Sequence, residues 1–250
     1  ADIVDGMRWA AGLPVAGVPD NPNPARIINI SFGGSADCGS LYQQTIDELW
    51  NERGAVVVAA AGNGSGAPSR PASCQRVIGV GALNRDGFKA TYSNFGASLA
   101  MATVGGDDDD GAWGSLLADS GVLTIGNGGF ASPENCALPG KNCYFNHFGT
   151  SFSAPIVSGA VSLMLSVNPT LTAAQCTGIL QRTSRPLPGA DYTWRNDMGY
   201  GQVDAQAAVE EAKTYDQRAD ITKRGGRPWS SASSSPRRAI ACCWKAPMAA

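Results

Sequence analysis

The sequence predicts an α/β domain built on a largely parallel sheet, on two observations. Ala55–Ala61 (AVVVAAA) and Val77–Leu83 (VIGVGAL) carry no polar side chain. Strands buried on both faces look like this, whereas half-solvated ones alternate. Helical patterns alternate with these runs, as in parallel strands joined by right-handed crossovers that lay helices over the faces of the sheet.

The elements follow in order. Asp2–Ala11 reads as a helix with Ile3, Met7, Trp9 and Ala10 toward one side, ended by the Pro/Gly/Asn stretch Gly12–Pro24. Arg26–Ser31 (RIINIS) is a short β-branched strand. Ser40 is placed as the cap of a helix reaching Arg53, with Ile46, Leu49 and Trp50 on its apolar side. After the two buried runs, strand pieces are expected at Leu99–Thr103 and Val122–Ile125 within a Gly/Asp/Asn-rich region. Ser151–Val167 is a helix apolar nearly all round, and so predicted to run through the core. Thr172 with Gln175 forms a capping box for a helix to Thr183, and Ala205–Tyr215 closes the domain as a short helix.

The 250 residues are 43% hydrophobic and 16% charged, a composition that supports a full core, and the formal charge of −2 argues against a nucleic-acid reader with a broad basic face. Residues 216–250 differ from the rest. They hold seven of the 19 basic residues and two of the 21 acidic ones, in a Ser/Arg-rich stretch without periodicity that reads as a disordered or aberrant tail outside a domain of residues 1–215. No apolar run approaches the roughly 18–20 residues of a membrane span, so no membrane partner is expected. No charged segment followed by an apolar stretch opens the chain. Seven cysteines point to an oxidising compartment. Cys38 with Cys74 and Cys136 with Cys143 are candidate disulfides, Cys176 reads as a buried small hydrophobe, and Cys242 and Cys243 are unassigned.

Three segments carry chemistry. Ser31–Gly34 (SFGG) ends a strand, and glycines there leave backbone free to pair with an extended peptide. In Ala59–Gly66 (AAAGNGSG) a buried strand delivers Asn63 into a Gly-rich turn, where its amide can donate to a developing oxyanion; an ordinary turn Asn has the same local pattern. Gly149–Pro155 (GTSFSAP) places Ser151 at a helix N-terminus, where unpaired N–H groups and the helix dipole favour negative charge; a plain N-cap serine also fits.

Taken together, SFGG, AAAGN, Tyr92–Gly96 (YSNFG) and GTSFSAP, in this order and spacing, resemble the subtilase family, as does Gly199–Val209 (GYGQVDAQAAV). A Cys after SFGG and a second in Pro71–Cys74 (PASC) are similar to secreted bacterial members. The resemblance covers residues 1–212. It implies a three-layer subtilisin-like α/β fold, a serine endopeptidase acting on polypeptides by acyl transfer, and a secreted protein that is monomeric when complete. It also implies that Ser151 is the nucleophile and Asn63 the oxyanion donor. Ser31, Phe32 and Gly33 would form the edge that pairs with substrate, and Ala60, Ala61 and Gly62 the wall of the specificity pocket.

The family's catalytic aspartate and histidine motifs are not found. Asp119-Ser120-Gly121 matches by letters but lies on the wrong side of Asn63, and the single histidine, His147, stands where the family has no catalytic residue. The chain is therefore expected to be a fragment without the N-terminal strands, inactive by itself, whose sheet ends at Arg26–Ser31 with Ile27, Ile28 and Ile30 exposed. A non-catalytic peptide-binding module is the alternative. An α/β-hydrolase or nucleotide-binding fold is set aside, because neither G-x-S-x-G nor G-x-G-x-x-G is present. No cofactor is required and no metal ligand assigned; Asp107–Asp110 reads as a solvated acidic loop, with structural calcium as the other reading.

Overall fold

The computed structural model describes residues 2–107, 121–127, 129, 132–133, 135–136, 143–188 and 197–215. Ala1–Tyr215 is one compact unit; the second, Asp216–Ala250, with the expected tail, lies outside the described residues, as do Asp108–Asp110 and Asp119–Ser120.

Four parallel strands form the main sheet in the order β1 (Ile27–Ile30), β2 (Val56–Ala60), β3 (Val77–Leu83) and β4 (Met101–Val104). In register, Ile28 faces Val57, Val58 faces Ile78 and Gly81 faces Ala102. Alternation along β2 divides the core. Val56, Val58 and Ala60 pack with α3 (Thr150–Val167), α4 (Ala173–Thr183) and α5 (Ala205–Thr214). Ala55, Val57 and Ala59 pack with α1 (Asp2–Ala10) and α2 (Gly39–Arg53). Helices thus cover both faces, and every residue of β2 and β3 is buried. A separate antiparallel pair joins β5 (Val122–Ile125) to β6 (Tyr144–His147) directly before α3.

Several boundaries and faces differ from expectation, each for a local reason. Cys38, not Ser40, occupies the cap position of α2, with no side-chain capping hydrogen bond; it is held there by its disulfide to Cys74. In α1 the buried residues are Val4 and Met7, whereas Trp9 is half exposed because its indole N–H turns outward to the Pro19 carbonyl at 2.8 Å. Among the described residues the sheet ends at β1, but Ile28 and Ile30 are 9% and 3% exposed. They pack with Met7, Leu13, Ile46 and Leu49, yet together with Asn29 they still line an apolar groove against Ile3, Met7 and Phe32 at the open edge, and Ile27 is half buried.

Both candidate disulfides are formed, and Cys176 is buried and free. The Cys38–Cys74 bond spans 36 residues and ties the loop after β1 to the turn before β3. By loop-closure entropy such a link is worth about 3–4 kcal/mol.

Helix α3 has 18 residues and a mean hydropathy of 1.5, enough by length and composition to cross a membrane, which the interrupting serines and glycine obscure in the sequence. Rather than running through the core, it buries one face and leaves the other exposed. Ala154, Val157, Ala160, Val161 and Met164 lie against the sheet, and Ile156 and Leu163 face outward.

Helix α5 starts from Asp204, whose carboxylate accepts the Ala207 amide at 3.0 Å and the Arg185 Nε–H at 2.6 Å. Arg185 first, then the Ala207 amide, holds this carboxyl below its ordinary 3.8. A depressed folded-state pKa contributes stability that is fully present above the unfolded value and lost as pH falls through the folded one. Asp204→Ala is expected to cost about 1 kcal/mol at neutral pH. In urea unfolding at stepped pH, the gap between variant and parent should narrow below the unfolded carboxylate range; a gap independent of pH would contradict this role for the carboxylate.

Candidate active site

The site forms where the C-terminal ends of β1 and β2 meet the first turn of α3. Gly149 precedes that turn with φ of +146°, a conformation L side chains rarely adopt, and a Cβ there would press on Asn63 Nδ2 at 3.3 Å. Ser151 is the second residue of the helix, so its N–H has no helical acceptor. Four residues later stands Pro155, inside the helix and without an N–H. The carbonyl of Ser151 therefore lacks its helical donor, and the Ser31 hydroxyl takes the place, donating to it at 2.9 Å. In return Ser151 Oγ donates to the Ser31 carbonyl at 2.7 Å. Behind this reciprocal pair, Asn29 Nδ2 donates to Ser31 Oγ at 2.8 Å, and Ser158 Oγ donates to Asn29 Oδ1 at 3.0 Å. The end of the strand and the start of the helix are thus joined through the residue at the helix mouth.

Asn63 is oriented by Thr150. Its side-chain oxygen accepts the Thr150 backbone N–H at 3.0 Å and the Thr150 hydroxyl at 2.8 Å. A backbone amide only donates, so the atom facing it must be oxygen, and Nδ2 is left as the outward donor. The Thr150 hydroxyl also accepts the Gly62 N–H at 3.1 Å, and the side chain is buried. One threonine therefore links the turn to the helix and sets which end of the Asn63 amide is presented.

A cavity of about 490 Å³ opens beside these groups, lined among others by Ser31, Phe32, Gly33, Ala60, Gly62 and Asn63. Ser35, Gly64, Ser69, Asn94, Thr150 and Ser151 complete the lining, which carries no charged side chain. The local field comes instead from backbone dipoles and the N-terminus of α3, which favours negative charge. Phe32 and Gly33 are exposed, and their backbone makes no hydrogen bond among the described residues, leaving an edge open to an extended chain.

Of the residues picked out in the sequence, Ala61 alone does not line the cavity. It is fully buried and packs the other way, with Leu83, Leu99 and Met198. His147 ends β6, exposed and stacked on Phe152 at 5.5 Å, and makes no hydrogen bond to Ser151. Asp107 is not part of a solvated loop: it is 3% exposed, because its carboxylate accepts Thr91 N–H and Oγ1–H at 2.7 Å each.

Sequence reasoning missed Thr150, Ser69 and Asn94. Asn94 is saturated: Oδ1 accepts the amides of Gly64 and Gly66 at 2.8 and 3.1 Å, and Nδ2 donates to the Ala61 carbonyl and Ser69 Oγ at 3.0 and 3.3 Å. This explains Gly62, since a Cβ there would collide with the Asn94 amide and the Ser69 hydroxyl. Asn94 sits within YSNFG, but nothing local in that segment points to partners about thirty residues away.

Known proteins resemble this chain over most of its length. An extracellular protease of Xanthomonas campestris is 39% identical over 215 residues, which cover 85% of this chain and 33% of that protein. An extracellular basic protease of Dichelobacter nodosus is 38% identical over 217 residues, covering 84% and 32% respectively. Among solved structures, a protease from Pseudoalteromonas arctica superposes with a TM-score of 0.73 at 37% identity, covering 84% of this chain and 58% of that one. The chain thus spans about a third of the length of these two curated relatives. Residues 1–201 match the subtilase family, and the chain belongs to that family.

Proposed function

We propose that this chain carries the nucleophile and oxyanion half of a secreted serine endopeptidase. The observation that supports this most strongly is that Ser151 and Asn63 line one cavity at the mouth of α3, with Asn63 Oδ1 taken by Thr150 so that Nδ2 and the Ser151 N–H remain as donors. An extended polypeptide lies along Phe32–Gly33 with one side chain in the cavity. Ser151 Oγ attacks the peptide carbonyl, and the two donors stabilise the oxyanion of the tetrahedral intermediate.

The proton of Ser151 must pass to a base. His147, the single histidine, stacks on Phe152 and makes no hydrogen bond to Ser151 among the described residues, so on this reading the base and its orienting carboxylate are supplied by residues outside these 250. Alone, the chain binds peptide without turnover, and the acyl transfer needs no cofactor. Secretion is supported by the two disulfides and by relatives named as extracellular proteases. A peptide-binding module without catalysis is the second reading. It is favoured by one contact: Ser151 Oγ is occupied with the Ser31 carbonyl.

Fluorophosphonate labelling of the full-length secreted protein separates the two: modification at Ser151 is expected, and an unlabelled Ser151 would leave the binding module. In that protein Ser151→Ala should abolish peptide hydrolysis. Asn63→Ala should lower kcat about a hundred- to a thousandfold with KM nearly unchanged, the size of effect that loss of an oxyanion donor has in subtilisin. An effect on KM alone would remove Asn63 from the oxyanion role.

Thr150→Val keeps the shape of the side chain but leaves the Gly62 N–H unpaired and frees one restraint on Asn63. It should lower stability by about 1–3 kcal/mol. It should also lower kcat by about tenfold. Thr150→Ser should restore both; a valine variant with unchanged unfolding and turnover would show that Thr150 does not position the amide.

A further inference from the structure

Behind the cavity lies a buried cation that the proposed chemistry does not use. Lys89 is 7% exposed, and among the described residues no carboxylate forms an ion pair with it. Its ammonium donates to the carbonyls of Ala90, Thr91 and Ser93 at 2.9, 3.3 and 3.2 Å. The Phe95 ring closes one side, its centroid 5.2 Å from Nζ. One step further out, the Asp107 carboxylate grips Thr91, whose carbonyl faces the ammonium.

Three convergent carbonyls require three donors. The ammonium supplies them, whereas a neutral amine would turn its lone pair on one of the oxygens. Burial pushes the Lys89 pKa down, with the Asp107 charge acting in the opposite direction. Carbonyl oxygens gathered around one point, with an aromatic face and a carboxylate nearby, have the donor chemistry of a site for a weakly hydrated monovalent cation.

The curled turn is what delivers the next two residues. Ser93 Oγ accepts the Ala82 amide at 2.9 Å and donates to the Asn94 carbonyl at 3.0 Å. Asn94 then holds the amides of Gly64 and Gly66 at the rim of the cavity.

We infer that Lys89 is a tethered structural cation: its ammonium fills an oxygen-lined monovalent-cation site and curls residues 90–93 so that Asn94 positions the Gly62–Gly66 loop. The inference goes beyond the proposed catalysis and does not rest on it. Without the ammonium, three carbonyl dipoles face one another across an empty space, and the site will take a free cation of similar size.

Amide hydrogen exchange on the full chain tests this in potassium, ammonium and tetramethylammonium chloride at equal ionic strength. The parent should be indifferent to the salt. Lys89→Ala, which leaves room for an ion, should exchange Gly64 and Gly66 about tenfold faster in tetramethylammonium while the core amides of Ile179 and Leu180 hold. Potassium or ammonium should restore it. Lys89→Met fills the space without charge and should show the loss with no restoration by any salt. If Lys89→Ala fails to fold in tetramethylammonium, recovery of folding on adding potassium or ammonium is the expected result; a chain unfolded in all three salts overturns the inference. Uniform acceleration along the chain, unchanged Gly64 and Gly66, or a local loss that no small cation repairs would each overturn it.

Discussion

The site depends on a donor that is missing. Because Pro155 brings no N–H, the Ser151 carbonyl is released from the helix and bonds to Ser31 instead. Because Ser151 Oγ returns a bond to the Ser31 backbone, the end of β1 and the mouth of α3 are held by two hydrogen bonds, one of which takes the place of the missing helical bond. Everything with chemical meaning lies within a few residues of this junction. The buried face of α3, running from Ala154 to Met164 against the sheet, gives it a rigid base.

The second constraint is directional. An asparagine in a Gly-rich turn could present either end of its amide. Thr150 removes that freedom by offering Asn63 two donors, both of which need oxygen. Asn94 does the same for the loop behind, with both ends of its amide fully used. Two glycines follow from these contacts, since Gly62 and Gly149 each lie where a Cβ would press on an asparagine amide. The polar groups of the cavity wall therefore specify one arrangement of the loop, while the cavity remains uncharged.

How much of this was legible in the sequence depended on distance along the chain. Strands β2 and β3 announced themselves, because burial on both faces leaves an unbroken apolar run, and the capping box of Thr172 and Gln175 is a contact three residues long. The face of α1 was misread because the partner of Trp9, the Pro19 carbonyl, lies in an irregular segment with no period. The start of α2 was misread because its cap position falls to Cys38, held by a disulfide, and not to Ser40. The exposure of Ile28 and Ile30 was overstated: an open strand edge exposes backbone, while side chains point to faces that α1 and α2 cover. Ser151 and Asn63 stood out because their motifs are local and ordered. Thr150, Ser69 and Asn94 act through bonds to residues 25 to 88 positions away, and composition and spacing carry no trace of those.

The central claim is that the Ser151 N–H and Asn63 Nδ2 face one point beside Ser151 Oγ. The most direct measurement is a crystal structure of the full-length protein with a phosphonate bonded to Ser151 Oγ. The account predicts the phosphoryl oxygen within hydrogen-bond distance of both donors, roughly 2.7–3.1 Å, with Thr150 still bonded to Asn63 Oδ1. A phosphoryl oxygen turned to solvent, or an Asn63 amide rotated away from it, would contradict the account.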